Sequence, residues 1–187
     1  AGWMTAATLI HEFPNKSITL IESPNIQTIG VGESTLQQIR TWTTSLGIED
    51  KDFVPFCDAT FKQSIRFQDF YKKGEYFHYP FGFPDVENTV NGLNDWWYKK
   101  ALFPQTPYSD FANSMWSVMA FINQNKMSFD SLPGWNFEKS TAFHFDATKF
   151  GLWLRDHFCI PKGVKHIKEN IDSIEQNENG IVSLNGY

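Results

Sequence analysis

The first 22 residues constrain the fold most, because they have the pattern of a helix that leads into a buried strand. Residues 2–13 have the apolar spacing of an amphipathic helix. Pro14 and Asn15 interrupt that spacing, and residues 17–22 (Ser-Ile-Thr-Leu-Ile-Glu) then read as a short apolar strand. A helix that feeds a parallel strand is the second half of a β-α-β unit, so the sequence predicts an α/β fold.

Gly2 and Glu22 have the spacing of a dinucleotide-binding unit. The third glycine of a G-x-G-x-x-G turn allows close packing of helix on strand, and an acidic residue about 20 positions later meets ribose hydroxyls. If Gly2 is that glycine, the first strand and two glycines would lie upstream of Ala1, and the chain would be truncated there. The alternative is that Glu22 is a solvated strand end.

The run Ile-Gly-Val-Gly-Glu-Ser-Thr at residues 29–35 is the next notable segment. Its two glycines flank Val31, which suits a backbone that approaches a flat cofactor closely or adopts positive φ. Ser34 or Thr35 is expected to cap a helix over 36–46.

Lys62 follows in an apolar setting, among Phe61, Ile65 and Phe67. Partial desolvation there would lower its pKa and favour a neutral, nucleophilic amine. The alternative is an ordinary lysine at a strand start, with its stem along apolar surface and its ammonium in solvent.

The remaining elements are predicted from periodicity and turn residues. A short helix at 49–58 is expected to turn Phe53, Phe56 and Cys57 inward. The other expected elements are a strand at 63–70, a short helix around 96–98, a helix at 109–124, a strand at 142–145, a helix at 147–158 capped by Asp146, and strands at 163–167, 171–175 and 181–184, the last two joined by a turn at 177–180.

Composition narrows the class of protein. A net charge of −5 argues against a nucleic-acid footprint, and neither an apolar run of roughly 18–20 residues nor a signal peptide is present. Cys57 and Cys159 lack a CxxC context, and buried free thiols in a reducing compartment are expected rather than a disulfide, which is the alternative. We therefore expect a cytoplasmic protein that binds neither nucleic acid nor membrane.

Aromatic residues make up 17% of the chain, which suggests a pocket or tunnel walled by rings, although ordinary core packing would also use them. His78 and His144 lack partners at metal-ligand spacing, so no metal site is predicted. His144 beside Asp146 is interpreted as a strand-end pair rather than an acid–base dyad.

Six blocks of the sequence, in order, resemble the flavin-dependent tryptophan halogenase family. They cover nearly the whole chain and lie at residues 1–4, 20–24, 29–35, 57–62, 76–82 and 143–146. The resemblance implies an FAD/NAD(P)-binding, Rossmann-like flavoprotein monooxygenase fold with an inserted, mostly helical substrate module, truncated at both ends. The implied division is an FAD-binding part at 1–75, the substrate insertion at 76–140 and a return to the FAD-binding domain at 141–187.

The resemblance also implies roles for individual residues. Lys62 falls on the family's catalytic lysine, and His78 and Phe81 fall on substrate contacts. The implied cofactor-binding residues are Ala1, Gly2, Glu22, Ile29, Val31, Gly32, Ser34 and Ile171, the last on a strand that runs past the adenine. The loop at 78–82 is one residue longer than the family pattern.

The chemistry that the resemblance implies is halogenation of tryptophan or another electron-rich aromatic. Reduced FAD, supplied by a separate flavin reductase, and O₂ convert chloride or bromide into hypohalous acid, which reaches the lysine. There the lysine either hydrogen-bonds the acid or carries the halogen as a haloamine. The family's Trp-x-Trp-x-Ile-Pro block and later glutamate are absent from the sequence.

Two other interpretations stay open beside this one. The parent could be a related flavin-dependent aromatic monooxygenase, or the chain could be a non-catalytic fragment of either enzyme. A homodimer is also compatible with the sequence. Substrate, halide preference and regiochemistry are not encoded in any motif of this sequence.

Overall fold

The computed structural model describes residues 1–26, 30 and 32–185. The chain forms two compact units. The first unit contains Ala1–Glu33, Leu46–Ala59 and Phe145–Tyr187, and the second contains Ser34–Ser45 and Thr60–His144. The predicted division into an FAD-binding part and a substrate insertion concerns function, and it stays a prediction.

Short helices and strands alternate along the chain. The helices are α1 (Gly2–Glu12), α2 (Gln38–Ser45), α3 (Asp50–Phe53), α4 (Asn94–Leu102), α5 (Ser109–Met115), α6 (Met119–Ile122), α7 (Phe137–Ser140) and α8 (Ala147–Trp153), which continues as a π-helix over Leu154–Cys159. The strands are β1 (Thr19–Glu22), β2 (Gly32–Ser34), β3 (Thr60–Lys62), β4 (Ser64–Gln68), β5 (Tyr76–Pro80), β6 (Ala142–Asp146), β7 (Lys165–Lys168), β8 (Ile174–Asn177) and β9 (Gly180–Leu184).

In the first unit, α1 leads into β1 as predicted, and β1 pairs in parallel with β7, with Ile21 opposite Ile167. The predicted cap of α8 is confirmed, because the side chain of Asp146 accepts a hydrogen bond of 2.9 Å from the Lys149 amide. The buried side of α8 and its π-helical extension supplies apolar side chains to the core of this unit: Phe150, Trp153, Leu154 and Phe158.

The hairpin of β8 and β9 also lies in the first unit, and it confirms the turn predicted at residues 177–180. Asn177 pairs with Gly180, whose φ of +124° is accessible to glycine and costly for other residues. The strand before this turn, predicted at residues 171–175, begins later in the chain than predicted. β8 begins at Ile174, so Ile171 precedes the strand. The reason is that residues 172 and 173 donate their amides to the Asn185 side chain instead of to a neighbouring strand.

In the second unit, β4 and β5 form an antiparallel hairpin in which Phe67 stacks on Phe77 with a centroid distance of 4.9 Å. A separate sheet has the order β2-β6-β3. β3 and β6 are antiparallel, with Phe61 opposite Phe143. The strand predicted at 142–145 is therefore the central member of this sheet.

Three further local predictions are wrong. The helix expected over 109–124 is divided into α5 and α6, because Trp116 has extended backbone angles (φ −123°, ψ 116°) and the Met115 carbonyl accepts from the Asp85 amide. α2 begins at Gln38, and the hydroxyls of Ser34 and Thr35 form other hydrogen bonds instead of capping it.

The third error concerns the helix expected over 49–58, because α3 is only one turn long. Phe53 and Cys57 are fully buried, as predicted, whereas Phe56 is 43% exposed. After α3 the chain continues in turns, so the helical spacing no longer determines which side chains face the core.

The two cysteines are free and buried, as predicted. Burial raises the pKa of Cys57 to about 12 and that of Cys159 to about 11. A thiol whose pKa is higher in the folded protein than in the unfolded chain contributes stability that is complete below the unfolded pKa. This contribution is lost as the pH rises from about 9 through the folded values.

We expect both thiols to resist a disulfide reagent at pH 8 in the folded protein and to react with it on unfolding. Rapid labelling of the folded full-length protein would contradict the burial of Cys57 and Cys159.

Within the described residues, no helix is both long enough and apolar enough to cross a membrane. The same part of the chain contains no cluster of three or more histidine, cysteine or carboxylate side chains that could hold a metal ion.

Candidate active site around Lys62

Lys62 is the last residue of β3 and lies in the second unit, where it is opposite Ala142. Only 8% of the residue is exposed. Its Nζ donates hydrogen bonds to Ser34 Oγ (2.7 Å) and to the Thr35 carbonyl oxygen (2.9 Å). The same nitrogen lies 5.5 Å from the centroid of the Phe81 ring. The side chain therefore crosses a buried space and does not extend into solvent.

The surroundings of this nitrogen favour its neutral form over the ammonium. Burial lowers the pKa of Lys62. Within the described part of the chain, no carboxylate lies within 4 Å of its Nζ, so the cation is stabilised by neutral oxygens and by a ring face. A lysine in such a setting becomes a neutral amine more readily than an exposed lysine does.

His144 lies on the same face of the sheet as Lys62. It is opposite Thr60 in the β3–β6 register, and successive side chains of a strand alternate between faces. Burial and, second, the charge of Lys62 lower the pKa of His144. The sequence interpretation linked His144 to Asp146 and missed this placement, although the period-two alternation of 142–146 was a signal for it.

Phe81 is buried beside Lys62, and the backbone after it is held from both sides. Gly82 has φ +88°, and a Cβ there would lie 2.5 Å from the Gly134 carbonyl oxygen. Its amide donates to Gln37 Oε1 at 2.9 Å. The tight approach of two chain segments at Gly82 therefore fixes where the Phe81 ring stands.

His78, the other predicted substrate contact, lies on β5. Its Nδ1 is 2.9 Å from Ser64 Oγ, and its ring meets that of Tyr76 edge-on at 5.9 Å. Burial and, to a smaller extent, the charge of Arg66 lower its pKa. The described contacts of His78 are thus with the β4–β5 hairpin.

The predicted cofactor residues at the N-terminus lie in the first unit. A Cβ on Gly2 would lie 3.5 Å from Leu20 Cδ1, an ordinary contact, so the start of α1 packs against β1. Glu22 is the last residue of β1, and its Oε1 is 2.9 Å from His166 Nε2. Its Oε2 makes no hydrogen bond within the described residues.

The other predicted cofactor residues divide into described and undescribed positions. Ile29 and Val31 lie outside the described residues. A side chain on Gly30 would overlap Thr148, so this glycine serves close packing within the first unit, whereas a Cβ on Gly32 would meet nothing within 4 Å. Ile171 is 45% exposed.

Sequence reasoning missed Arg40, which is 6% exposed although it was placed on no predicted buried face. Its guanidinium carbon lies 4.4 Å from the centroid of Phe143 and 5.4 Å from that of Phe137. Its Nε donates to Thr141 Oγ1 at 2.9 Å. From its charge, an arginine is expected on the surface. The only sequence signal for this cation–π arrangement was the aromatic content of the strands nearby.

The sequence profile of the family described as tryptophan halogenase matches residues 1–185. The chain belongs to the tryptophan halogenase family. It is 29% identical to tryptophan 6-halogenase SttH of Streptomyces toxytricini over 98% of this chain, and 27% identical to tryptophan 7-halogenase RebH of Lentzea aerocolonigenes over 96% of it. It spans 38% and 36% of the lengths of these two relatives.

The chain also resembles solved structures, one of which is described as a flavin-dependent halogenase. The apo structure of VirX1 matches all of this chain and 38% of its own length, with a TM-score of 0.88 and 37% identity. Xcc4156, a flavin-dependent halogenase from Xanthomonas campestris, matches 98% of this chain and 36% of its own length, with a TM-score of 0.81 and 27% identity. The family resemblance and the mixed α/β flavoprotein fold are thereby confirmed, and the assigned site residues stay predictions.

Proposed function

We propose that the whole protein catalyses FADH₂-dependent halogenation of tryptophan or another electron-rich aromatic, with Lys62 as its catalytic residue. The observation that carries this proposal is the buried Lys62 nitrogen, which no described carboxylate neutralises and which the Ser34 hydroxyl and Thr35 carbonyl hold. Family membership supplies the reaction class.

The first unit supports FAD as the cofactor. In dinucleotide-binding folds, an acidic residue at the end of the second strand accepts from ribose hydroxyls. Glu22 ends β1, and one of its oxygens makes no hydrogen bond within the described residues, which suits that role. When bound, reduced FAD together with O₂ would supply the oxidising power that turns chloride or bromide into hypohalous acid.

Lys62 then has two candidate roles. As a neutral amine it would attack the halogen of hypohalous acid, forming a nitrogen–halogen bond and releasing water. As an ammonium it would donate a hydrogen bond to the same acid. The lowered pKa of Lys62 supports the first role, because it raises the fraction of neutral amine at a given pH.

The remaining assignments are part of the same proposal. Phe81 and His78 would contact the aromatic substrate. Ala1, Gly2, Ile29, Val31, Gly32, Ser34 and Ile171 would contact FAD, and residues 76–140 would form the substrate module. A separate flavin reductase would deliver FADH₂ by diffusion.

The test is an assay of the full-length protein with FADH₂, O₂ and bromide against tryptophan and a panel of indoles and phenols. We expect a brominated product, recognised in mass spectra by the paired isotopes of bromine. Omitting bromide should remove this product and leave FADH₂ oxidation unchanged. A hydroxylated product without bromine would instead support the aromatic monooxygenase interpretation.

A further inference from the structure

We propose that Thr35 is a positioning residue, which holds its own carbonyl oxygen and the Ser34 hydroxyl on the Lys62 nitrogen. This inference rests on the proposed function of Lys62 and names the residue that would keep its amine in place. It concerns only residues of the second unit.

Thr35 is joined to a single residue of β6 by three hydrogen bonds. The Thr35 amide donates to the Phe143 carbonyl oxygen at 2.9 Å, and the Thr35 hydroxyl donates to the same oxygen at 3.2 Å. The hydroxyl also accepts from the Phe143 amide at 2.9 Å. Thr35 thus engages both backbone polar groups of Phe143, and two of the three hydrogen bonds involve the Thr35 hydroxyl.

This attachment positions the carbonyl oxygen of Thr35 to accept a hydrogen bond from Lys62. With the amide and hydroxyl of Thr35 engaged by β6, its carbonyl oxygen accepts from Lys62 Nζ at 2.9 Å. Ser34, the adjacent residue, accepts from the same nitrogen at 2.7 Å. A hydrogen bond to a charged group contributes more than one between neutral groups, and it depends on the placement of its acceptor.

The anchor residue Phe143 is itself rigidly held. It is fully buried, opposite Phe61 in the β3–β6 pair, and Lys62 is the next residue after Phe61. The guanidinium of Arg40 lies over its ring at 4.4 Å. Phe143 therefore connects Thr35 on one side with the strand that carries Lys62 on the other.

Among the described residues, few titratable or charged groups surround the Lys62 nitrogen. His144 shares its face of the sheet, and Arg40 contacts Phe61 and Phe143 on the neighbouring strands. Neither side chain is changed in the experiment, so a change in the Lys62 amine can be attributed to Thr35.

The experiment compares Thr35→Val with Thr35→Ser in the full-length protein. Valine keeps the shape of threonine and removes the hydroxyl, whereas serine keeps the hydroxyl. Thr43→Val is the matched control, because Thr43 is 2% exposed and, among the described residues, its hydroxyl donates only to carbonyl oxygens of its own helix, those of Ile39 and Arg40. If the valine variant does not fold, Thr35→Ala takes its place.

Two quantities are measured. The first is kcat and KM for the aromatic substrate, with the yield of halogenated product per FADH₂ oxidised. The second is the pKa of the Lys62 amine, obtained by competitive acetylation over a pH series with mass-spectrometric quantification of the peptide that contains Lys62. The second quantity does not depend on catalysis.

We expect Thr35→Val to lower kcat by about 10- to 100-fold, the equivalent of one charge-assisted hydrogen bond, with KM nearly unchanged. Displaced acceptors hold the ammonium less well, so the pKa of Lys62 should fall further. Thr35→Ser should restore both values, and Thr43→Val should change neither.

Equal behaviour of Thr35→Val and Thr43→Val in both measurements would overturn the inference. A failure of the proposed function would look different. In that case removal of the Lys62 amine would leave halogenation intact, while the pKa of Lys62 would still respond to Thr35→Val.

Discussion

Replacing Lys62 with alanine in the full-length protein is expected to lower the rate of halogenation by about 100-fold or more, the scale of a lost acid–base or nucleophilic group. Oxidation of FADH₂ by O₂ should continue, because Lys62 is proposed to act on the hypohalous acid, after the flavin has already been oxidised. Product is measured by mass spectrometry and flavin oxidation by absorbance in the same reaction.

Two variants sharpen this result. Lys62→Arg keeps a positive charge but cannot become a neutral nitrogen in the working pH range. It should therefore be as inactive as Lys62→Ala if the amine carries the halogen, and should keep part of the activity if a donated hydrogen bond is enough. Lys73→Ala removes an exposed lysine and should leave halogenation unchanged. Halogenated product at the normal rate from Lys62→Ala would refute the assignment of this residue.

The pH dependence of the halogenation rate also distinguishes the two roles of Lys62, because the rate changes in opposite directions for the two. Burial lowers the pKa of Lys62, so the neutral form becomes populated at lower pH than for an exposed lysine. If the neutral amine reacts, the halogenation rate rises as pH increases through that lowered pKa. If the ammonium acts as a donor, the rate falls over the same range.

The Phe53→Ala substitution is expected to have the largest effect on stability, lowering the free energy of unfolding by about 3–5 kcal/mol. Phe53 is fully buried in the first unit, and its ring lies 5.3 Å from that of Phe150 and 6.0 Å from that of Trp153. Truncation removes these ring contacts and leaves a cavity that the packed neighbours fill only in part. Chemical denaturation of the full-length protein, followed by tryptophan fluorescence, measures the loss.

Phe56→Ala is the matched control, because it removes the same side chain three residues later. Phe56 is 43% exposed, and its ring meets the edge of the His157 ring at 5.6 Å. We expect a loss of about 1 kcal/mol or less, since a partly exposed side chain recovers little transfer free energy on folding. Equal losses for the two variants would show that the described burial of Phe53 is wrong.

The contrast between Phe53 and Phe56 shows where sequence patterns stop being informative. Both rings were expected inside on helical spacing, and the spacing is valid only while the chain is helical. α3 ends at Phe53, after which tertiary contacts decide the direction of each side chain. The division of 109–124 at Trp116 has the same cause, because a contact with Asp85 interrupts an otherwise helical pattern.

The amino-acid sequence by itself determined the features that depend on neighbouring residues. These are the helix that enters β1, the cap of α8 by Asp146, the turn at 177–180 and the order of motifs that identifies the family. Periodicity and capping chemistry act over a few residues, so a linear pattern contains the information they need.

Only the tertiary structure decided what meets the Lys62 nitrogen. Ser34 and Thr35 reach it from positions 28 and 27 residues away in the chain, and Thr35 is held by a strand 108 residues away. Such contacts result from the pairing of β3 with β6 and from the hydrogen bonds that join Thr35 to Phe143. The physical reason is that these arrangements are selected by the packing of the whole unit, and no local spacing of residues specifies them.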